Sequence, residues 1–571
     1  MCRPQNSEYR HVLLDMAGLE DGQRLEADLC IIGAGAAGIS LALQFIDQGL
    51  DVLLVESGGQ RYEEDVQRMY AGSVANPKLH APVDRFRRRQ FGGSTVLWGG
   101  RCMPFDPIDF EQRSYVPHSG WPLTYDDLLP FYHEANRICE AGALAYTIGE
   151  AFDRPMKPMI EGFESTTFST DHLERFSKPT NFAACYGDAL AAANVRVLLH
   201  ATATQFSFDD TGNTINEVRV RNLEGKTATV KARAFALATG GLEVPRLLLA
   251  NRDVHANGIG NQNGLVGKYY MCHIGGTLGR IKINRNSAVW HDYDVADDAT
   301  YCRRRFALEP EPQRQNEIGN FVARLHHPDI ADPEHQAAIL SLVYLGSLLL
   351  PWEYRTRAAG SVTLRQYGHH VLNVVSEPIA ATRFAFKMLT GRFLASRKIP
   401  SLVVPLKSNL FSLDFLAEQM PNPDSRITLG NDTDALGLPQ ISLDWRYTRQ
   451  DVETVKTAVR LLADDIQRCG LGTFAYDPDA VEDDMTRYGA YGGHHIGTAR
   501  MGHDPKTSVV DPNCRVHGLS NLYIAGAAVF PTSSQANPTL TIVALALRLA
   551  GHLKEQLRPA AAVVHASPSA G

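Results

Sequence analysis

Two apolar runs near the amino terminus, Leu29-Cys30-Ile31-Ile32 and Val52-Leu53-Leu54-Val55, show no alternation with polar positions. Runs of that kind predict strands buried on both faces, as in a parallel sheet. Between them, Ile39 to Phe45 predicts a helix of small and apolar residues that breaks at Gly49. Further on, Leu128, Phe131, Tyr132 and Ala135 recur at helical spacing behind Thr124, a helix-capping residue, with Asp126 and Asp127 in the first turn. Residues 189–193 predict a helix and residues 195–199 a strand. Alternating strands then pass through Phe206, Val218, Val220 and Val230 to a strand ending at Ala238. A helix around Pro245–Ala250 completes what reads as a return to the first sheet. Residues 271–485 have a different texture: strand pieces at 274–283, 425–429 and 440–443 alternate with helices at 379–396 and 450–467. They predict a separate sheet backed by helices. A short strand over 522–525 and a long apolar helix over 542–553 close the pattern.

Composition narrows the class. A chain of 571 residues exceeds what one core organises, which predicts two intertwined or consecutive domains. The hydrophobic fraction of 44% and charged fraction of 21% are those of an ordinary globular protein. A formal net charge of −7 supplies neither a basic patch for nucleic acid nor a polybasic membrane signal. Nine cysteines lie far apart without C-x-x-C pairs, which speaks against a metal site and fits buried reduced thiols. Residues 1–26 are polar and lack the apolar core of a signal peptide. The longest apolar run, Ala337–Trp352, is short for a bilayer span and reads as a buried helix, with a surface-docking helix as the alternative. The expected location is the cytoplasm, although export with a signal-bearing partner would leave no trace in the sequence.

The first apolar run enters Gly33-Ala34-Gly35-Ala36-Ala37-Gly38, and Glu56 stands 18 residues after Gly38. Strand, glycine turn, helix, strand and acid in that order make a Rossmann-like dinucleotide unit. Gly33 allows the tight turn, Gly35 the approach of a pyrophosphate, and Gly38 the packing of helix on strand. The phosphates then sit at the helix amino terminus beside Ala36 and Ala37, and Glu56 with Ser57 meets the ribose. A lone glycine triplet is more often a simple turn; the ordered elements around this one favour the nucleotide. The loop Phe91-Gly92-Gly93-Ser94-Thr95-Val96-Leu97-Trp98-Gly99-Gly100 can form neither regular helix nor strand. Its backbone could lie against a ring or phosphate, the alternative being a basic surface loop after Arg85, Arg87, Arg88 and Arg89. Thr202 and Ala203 are candidates to face the adenine, and Ala238-Thr239-Gly240 is a second turn into a helix. Near the carboxy terminus, His494-His495-Ile-Gly497-Thr498-Ala-Arg500-Met501-Gly502 leads to Ala525-Gly526 and then to Ala536-Asn537-Pro538-Thr539-Leu540-Thr541. Asn537 precedes a proline suited to the first helical position, so helix capping is its structural alternative. A helix start there also puts backbone N–H groups at the ring end of a cofactor.

Together, the nucleotide motif, the 92–100 loop, the Gly120-Trp121-Pro122 segment and the paired His494 and Asn537 blocks resemble the glucose–methanol–choline family of flavoprotein oxidoreductases. The branch most similar in motif is that of pyranose oxidases and glucoside 3-dehydrogenases. The resemblance implies an α/β fold, α+β overall, with an FAD-binding domain assembled from separated segments and a substrate domain on a mainly antiparallel sheet. The segments expected are 20–270 and 486–556 for FAD, 271–485 for substrate, and a flexible tail over 557–571. It further implies that His494 is the catalytic base, since its neighbour His495 does not match the motif, and that Asn537 is its partner. A neutral imidazole accepts the alcohol proton while hydride leaves for flavin N5, and the carboxamide orients the hydroxyl. Thr539, Ala525 and Gly526 join the cofactor set, and Gln419 the substrate set; Asn373 and Asn422 are further polar candidates, and for any one of Gln419, Asn373 and Asn422 a satisfied loop polar is the favoured alternative. Arg500 is expected behind the site, and His503 and His517 at the surface.

Two departures from the family pattern matter. Some relatives tether FAD through a histidine where this chain has Leu97, so FAD is expected without a covalent link. The closely spaced cysteines of iron–sulfur relatives are absent, which leaves oxygen, a quinone or a separate redox protein as electron acceptor. The expected substrate is a secondary alcohol of a sugar or glycoside. The rivals are an apolar sterol or aryl alcohol, with 337–352 lining a greasy pocket, and a non-catalytic flavoprotein subunit.

Overall fold

The computed structural model describes residues 13–190, 194–284, 286–346, 364–395, 397–401, 403, 404, 406, 408–486 and 493–558. The first sheet grows from β1 (Leu13–Asp15), β2 (Gln23–Ile32), α1 (Ala36–Leu43), β3 (Val52–Val55), β4 (Val195–Leu199), β5 (Thr202–Phe208), β6 (Ile215–Arg221) and β7 (Thr227–Leu237). Strands β1, β4, β3, β2 and β7 lie side by side in parallel, and β6 and β5 extend the sheet antiparallel from the first half of β7. Leu29 to Ile32 and Val52 to Val55 are buried at every position, the physical reason the sequence shows runs there and no alternation. Helix α2 (Gly240–Ala250) leaves the end of β7.

The second sheet is antiparallel throughout. Its centre is β8 (Ile274–Ile283), β9 (Phe321–His326), β10 (Leu410–Ala417) and β11 (Gly472–Ala475), in the order β11-β8-β10-β9, completed by Phe306–Leu308 and Phe168–Ser169. Helix α3 (Arg449–Arg468) begins at Thr448, which forms a reciprocal cap with Asp451. It drives Val455, Val459, Leu462 and Ile466 into the core beneath this sheet. The chain then returns: β12 (Leu522–Ile524) pairs in parallel with Phe235 to Leu237 of β7, and α4 (Thr539–Leu557) packs on α1 and on the helix Tyr125–Ile138. Thr124 caps that last helix as expected, and its Tyr132 hydroxyl hydrogen-bonds Thr541 Oγ1 at 2.9 Å.

Several expectations need correction. The pieces expected at 425–429 and 440–443 are strands, Arg426–Thr433 and Pro439–Asp444, yet they pair with Gly72–Val74 in a separate three-stranded sheet. Phe168–Ser169 joins the second sheet although it lies within the stretch assigned to the first. Seven described cysteines are free, but Cys185 is disulfide-bonded, against the expectation of reduced thiols throughout. Of the apolar run 337–352, the described part is the helix Ala338–Leu345, buried over Ala338 to Ser341; residues 347–352, like 559–571 of the expected tail, lie outside the described residues. No helix among the described residues is long and apolar enough to cross a membrane.

A buried ion pair ties the loop after the helix Pro107–Phe110 to the end of β10 in the second sheet. Arg113 donates to both oxygens of Glu418 at 2.8 and 2.6 Å, and Glu418 also accepts the Asn320 N–H at 3.1 Å. Removing one partner leaves an uncompensated charge in the interior. Arg113→Met should therefore lower unfolding stability by about 3–5 kcal/mol in a urea titration; a loss below about 1 kcal/mol, the scale of an exposed pair, would contradict this placement.

Candidate active site

The turn after β2 is closed by glycine geometry. Gly33 has φ +106°, and a Cβ there would lie 2.6 Å from the Ala238 carbonyl oxygen, so only glycine lets β2 and β7 end side by side. The glycine loop descends onto this turn: Gly92 N–H donates to Ala34 O at 2.9 Å, and a Cβ on Gly93 would stand 2.7 Å from Gly35 Cα. Backbone thus meets backbone where a pyrophosphate needs close approach.

Above the contact lies a cavity of about 240 Å³. Gly33, Gly35, Ala36 and Ala37 line it from the turn, Glu56 and Ser57 from the end of β3, and Gly93, Ser94, Thr95 and Trp98 from the glycine loop. Thr202 and Ala203 of β5, Ala238, Thr239 and Gly240 after β7, and Ala525, Gly526 and Thr539 complete the sequence-derived set, with His494 at the rim. Gly38, Gly92, Leu97, Gly99, Gly100 and Asn537 lie outside the lining. Gly38 serves packing instead, since a Cβ there would sit 1.9 Å from Gly33 O. Leu97 is 47% exposed. Trp98 is partly buried, donating its indole N–H to Thr180 O at 2.9 Å. Gln419 does not fit the substrate role proposed from sequence. It is fully buried, its Oε1 accepts from Cys272 N and Trp445 Nε1, and its Nε2 donates to Arg446 O. Asn373 and Asn422 are likewise engaged, with Pro333 O and Asp424 N.

Glu56 sits where a ribose acid is expected. Its two oxygens accept N–H groups from Ala34 and Gly58, each at 2.9 Å. Burial raises its pKa, while those donors and Arg89 oppose the rise. Sequence reading missed the ionic cluster beside it. Glu243 is buried, which alone would neutralise it; Arg246, Arg89 and Arg87 outweigh that penalty and hold it ionised, with a pKa of about 2. Arg89 also donates to Ser57 Oγ at 2.7 Å. The Arg85 to Arg89 run was the available signal, but its acidic partner lies more than 150 residues away. Thr239 Oγ1 and Arg89 Nε, both on cavity residues, and Asn537 Oδ1 are buried without a hydrogen-bond partner among the described residues. Polar groups stranded against a cavity, above a glycine cradle and a helix amino terminus, fit a phosphate- and ribose-bearing cofactor.

His494, on the cavity wall, converges with Asn537: Asn537 Nδ2 lies 3.2 Å from His494 Nε2. The other ring nitrogen, Nδ1, lies 2.7 Å from Nδ1 of His273. Burial, then His273 and Arg101, holds the His494 pKa well below its ordinary 6.5, so the imidazole is neutral at neutral pH. His495 also lines the cavity, and its ring packs beside those of His80 and Tyr270, with centroids 6.5 and 6.1 Å away. The segment that follows His494 is pinned by Gly497, Ala499 and Met501 N–H groups donating to the carbonyl oxygens of Ala527, Ala528 and Val529. Arg500 lies behind it, over the Tyr269 ring at 4.6 Å. His517 is hydrogen-bonded to Ser508 Oγ at 2.9 Å.

Comparison with known proteins agrees with this geometry. A profile described as GMC oxidoreductase matches residues 421–546, and one described as FAD dependent oxidoreductase matches residues 28–306. The fructose dehydrogenase large subunit of Gluconobacter japonicus is 25% identical over 94% of this chain and 99% of its own. The C-glycoside 3-oxidase of Arthrobacter globiformis is 34% identical over 26% of this chain and 27% of its own. The crystal structure of pyridoxine 4-oxidase from "Mesorbium loti" shares the fold, with a TM-score of 0.51 at 19% identity over 92% of this chain and 98% of its own.

The Gly35–Gly93 contact yields a direct test. Gly93→Ala forces a methyl group into the backbone of the turn, so the variant should bind FAD at least tenfold more weakly, about 1.4 kcal/mol, by titration of the apoprotein. Unchanged affinity would show that the two loops do not hold the cofactor together.

Proposed function

The chain belongs to the glucose–methanol–choline family of FAD-dependent oxidoreductases, and from that premise we propose that it oxidises a secondary alcohol of a sugar or glycoside to the keto-sugar, with His494 as the base. The observation that carries this reading is the approach of Asn537 Nδ2 to His494 Nε2, 3.2 Å apart, with His494 on the wall of the dinucleotide cavity. The names of two relatives, a fructose dehydrogenase subunit and a C-glycoside 3-oxidase, support the substrate class.

When bound, FAD supplies the acceptor for the hydride that leaves the carbinol carbon. The rest belongs to the protein. The amides of the Gly33–Ala37 turn and the α1 amino terminus would hold the pyrophosphate charge, and Glu56 and Ser57 would meet the ribose. His494 accepts the hydroxyl proton at Nε2 while the alcohol O–H bond breaks. Asn537 orients the alcohol through its carboxamide. Burial keeps the imidazole unprotonated, so its lone pair is present before substrate arrives. Leu97 offers no nucleophile to the flavin, which favours FAD held without a covalent bond. Segments 20–270 and 486–556 form the FAD-binding part in this reading, and 271–485 shape the substrate side. Electrons leave to oxygen, a quinone or a separate redox protein.

A panel of sugars and glycosides, screened with both oxygen and a dye as acceptor, should contain a turnover substrate. With it, His494→Gln should lose about 10²–10⁴-fold in kcat with flavin content unchanged; wild-type turnover in that variant would refute the assignment. Because the depressed pKa must be crossed before Nε2 is protonated, kcat/KM should hold as pH falls to 6.5 and decline only below it. An acid limb centred above 6.5 would contradict the buried, neutral base. Finally, acid precipitation should release the yellow chromophore into the supernatant; a yellow pellet would mean a covalent link.

A further inference from the structure

His273 is absent from every motif the sequence offers, yet it makes the shortest contact to the proposed base. The residues before β8 run antiparallel to the segment carrying His494, joined by Met271 N–H to Ile496 O at 2.9 Å and Ile496 N–H to Met271 O at 3.0 Å. Two residues along that register, His273 stands opposite His494 on the same face. Their rings meet edge to face at 86°, centroids 4.8 Å apart, with the Nδ1 atoms 2.7 Å from each other.

A contact of 2.7 Å between two ring nitrogens needs one hydrogen, and the surroundings decide which ring carries it. His273 Nε2 lies 3.2 Å from the Ser533 carbonyl oxygen, a group that can only accept. His273 is therefore protonated at Nε2, and its Nδ1 presents a lone pair. That lone pair takes the hydrogen of His494 Nδ1, which leaves His494 Nε2 bare. Asn537 then faces Nε2 with its NH₂, consistent with its Oδ1 being the atom left without a partner. Every donor from Asn537 to Ser533 points the same way.

We propose that His273 is a positioning residue that fixes the tautomer of His494, keeping the hydrogen on Nδ1 so that Nε2 is free to take the proton of the bound alcohol. When that proton arrives, the alcohol O–H bond breaks and an Nε2–H bond forms. The positive charge then on His494 is stabilised through its Nδ1–H by the His273 lone pair. This rests on His494 being the base, so the test has one readout that needs no turnover. In holoenzyme with ¹⁵N-labelled histidines, His494→Gln identifies the His494 ring signals, which at neutral pH should report a protonated Nδ1 and a bare Nε2. In His273→Leu, of similar size but without an acceptor, the hydrogen should move to Nε2 and kcat should fall about 10²-fold or more with KM and flavin content little changed. His273→Asn, whose Oδ1 can accept from His494 Nδ1, should restore most of the loss. A bare Nδ1 in the wild type, or full kcat in His273→Leu, overturns the proposal. If the tautomer is as stated but His494→Gln keeps wild-type turnover, the assignment of the base fails and that of the tautomer stands. Should His273→Leu not fold, the wild-type spectrum and His273→Asn decide.

Discussion

The site depends on a two-hydrogen-bond bridge between Met271 and Ile496. Residue 271 lies three residues before β8 of the second sheet, and residue 496 precedes the chain's return to the first sheet at β12. Their pairing sets the register in which His494 meets His273, and it brings the start of the second sheet beside the dinucleotide cavity. Cross-strand register is discrete, and a slip of one segment by one residue would turn its imidazole to the face opposite the other. The geometry of the base is thus set by backbone pairing, while the side chains supply its chemistry.

The partner loop is held just as firmly. Trp121 donates to Thr532 Oγ1 at 2.7 Å, Thr532 donates to Asp109 O at 2.9 Å, and Ser534 donates to Asp109 Oδ2 at 2.6 Å. Burial, with Asp106 and Glu418 nearby, raises the Asp109 pKa to about 8. A buried network of that kind is costly unless satisfied, and once satisfied it rigidifies the segment that presents Asn537. The carboxamide precedes the helix start at Pro538, and the imidazole stands two residues from the Met271–Ile496 bridge, so both side chains adjoin hydrogen-bonded backbone.

What the sequence showed, and what it hid, follows from the range of the interactions. Buried parallel strands, the Gly33–Gly38 turn, the Thr124 cap and the strand at 274–283 are local patterns, and all are where periodicity and turn chemistry put them. The pairing of 426–444 with Gly72–Val74, the capture of Phe168 by the second sheet, and the Glu243 cluster depend on partners far apart in sequence. Gln419 misled because an amide near a supposed pocket looks the same in sequence whether it is free or committed to Cys272, Trp445 and Arg446. His273 carried no signal at all, since its meaning lies in a register that only the folded chain displays. The His494 and Asn537 pair was legible through family resemblance, and the spacing of the two residues by itself would not have joined them.

The central claim is that a sugar hydroxyl, bound between His494 and Asn537, loses its proton to the imidazole as its carbon gives up hydride. Anaerobic mixing of the holoenzyme with a sugar deuterated at the reacting carbon, followed by the loss of yellow absorbance in a single turnover, tests it most directly. The account predicts bleaching by the unlabelled sugar, slowed several-fold by deuterium and nearly abolished in His494→Gln. Failure of every sugar and glycoside to bleach the flavin, or bleaching at equal rates with and without His494, would contradict it.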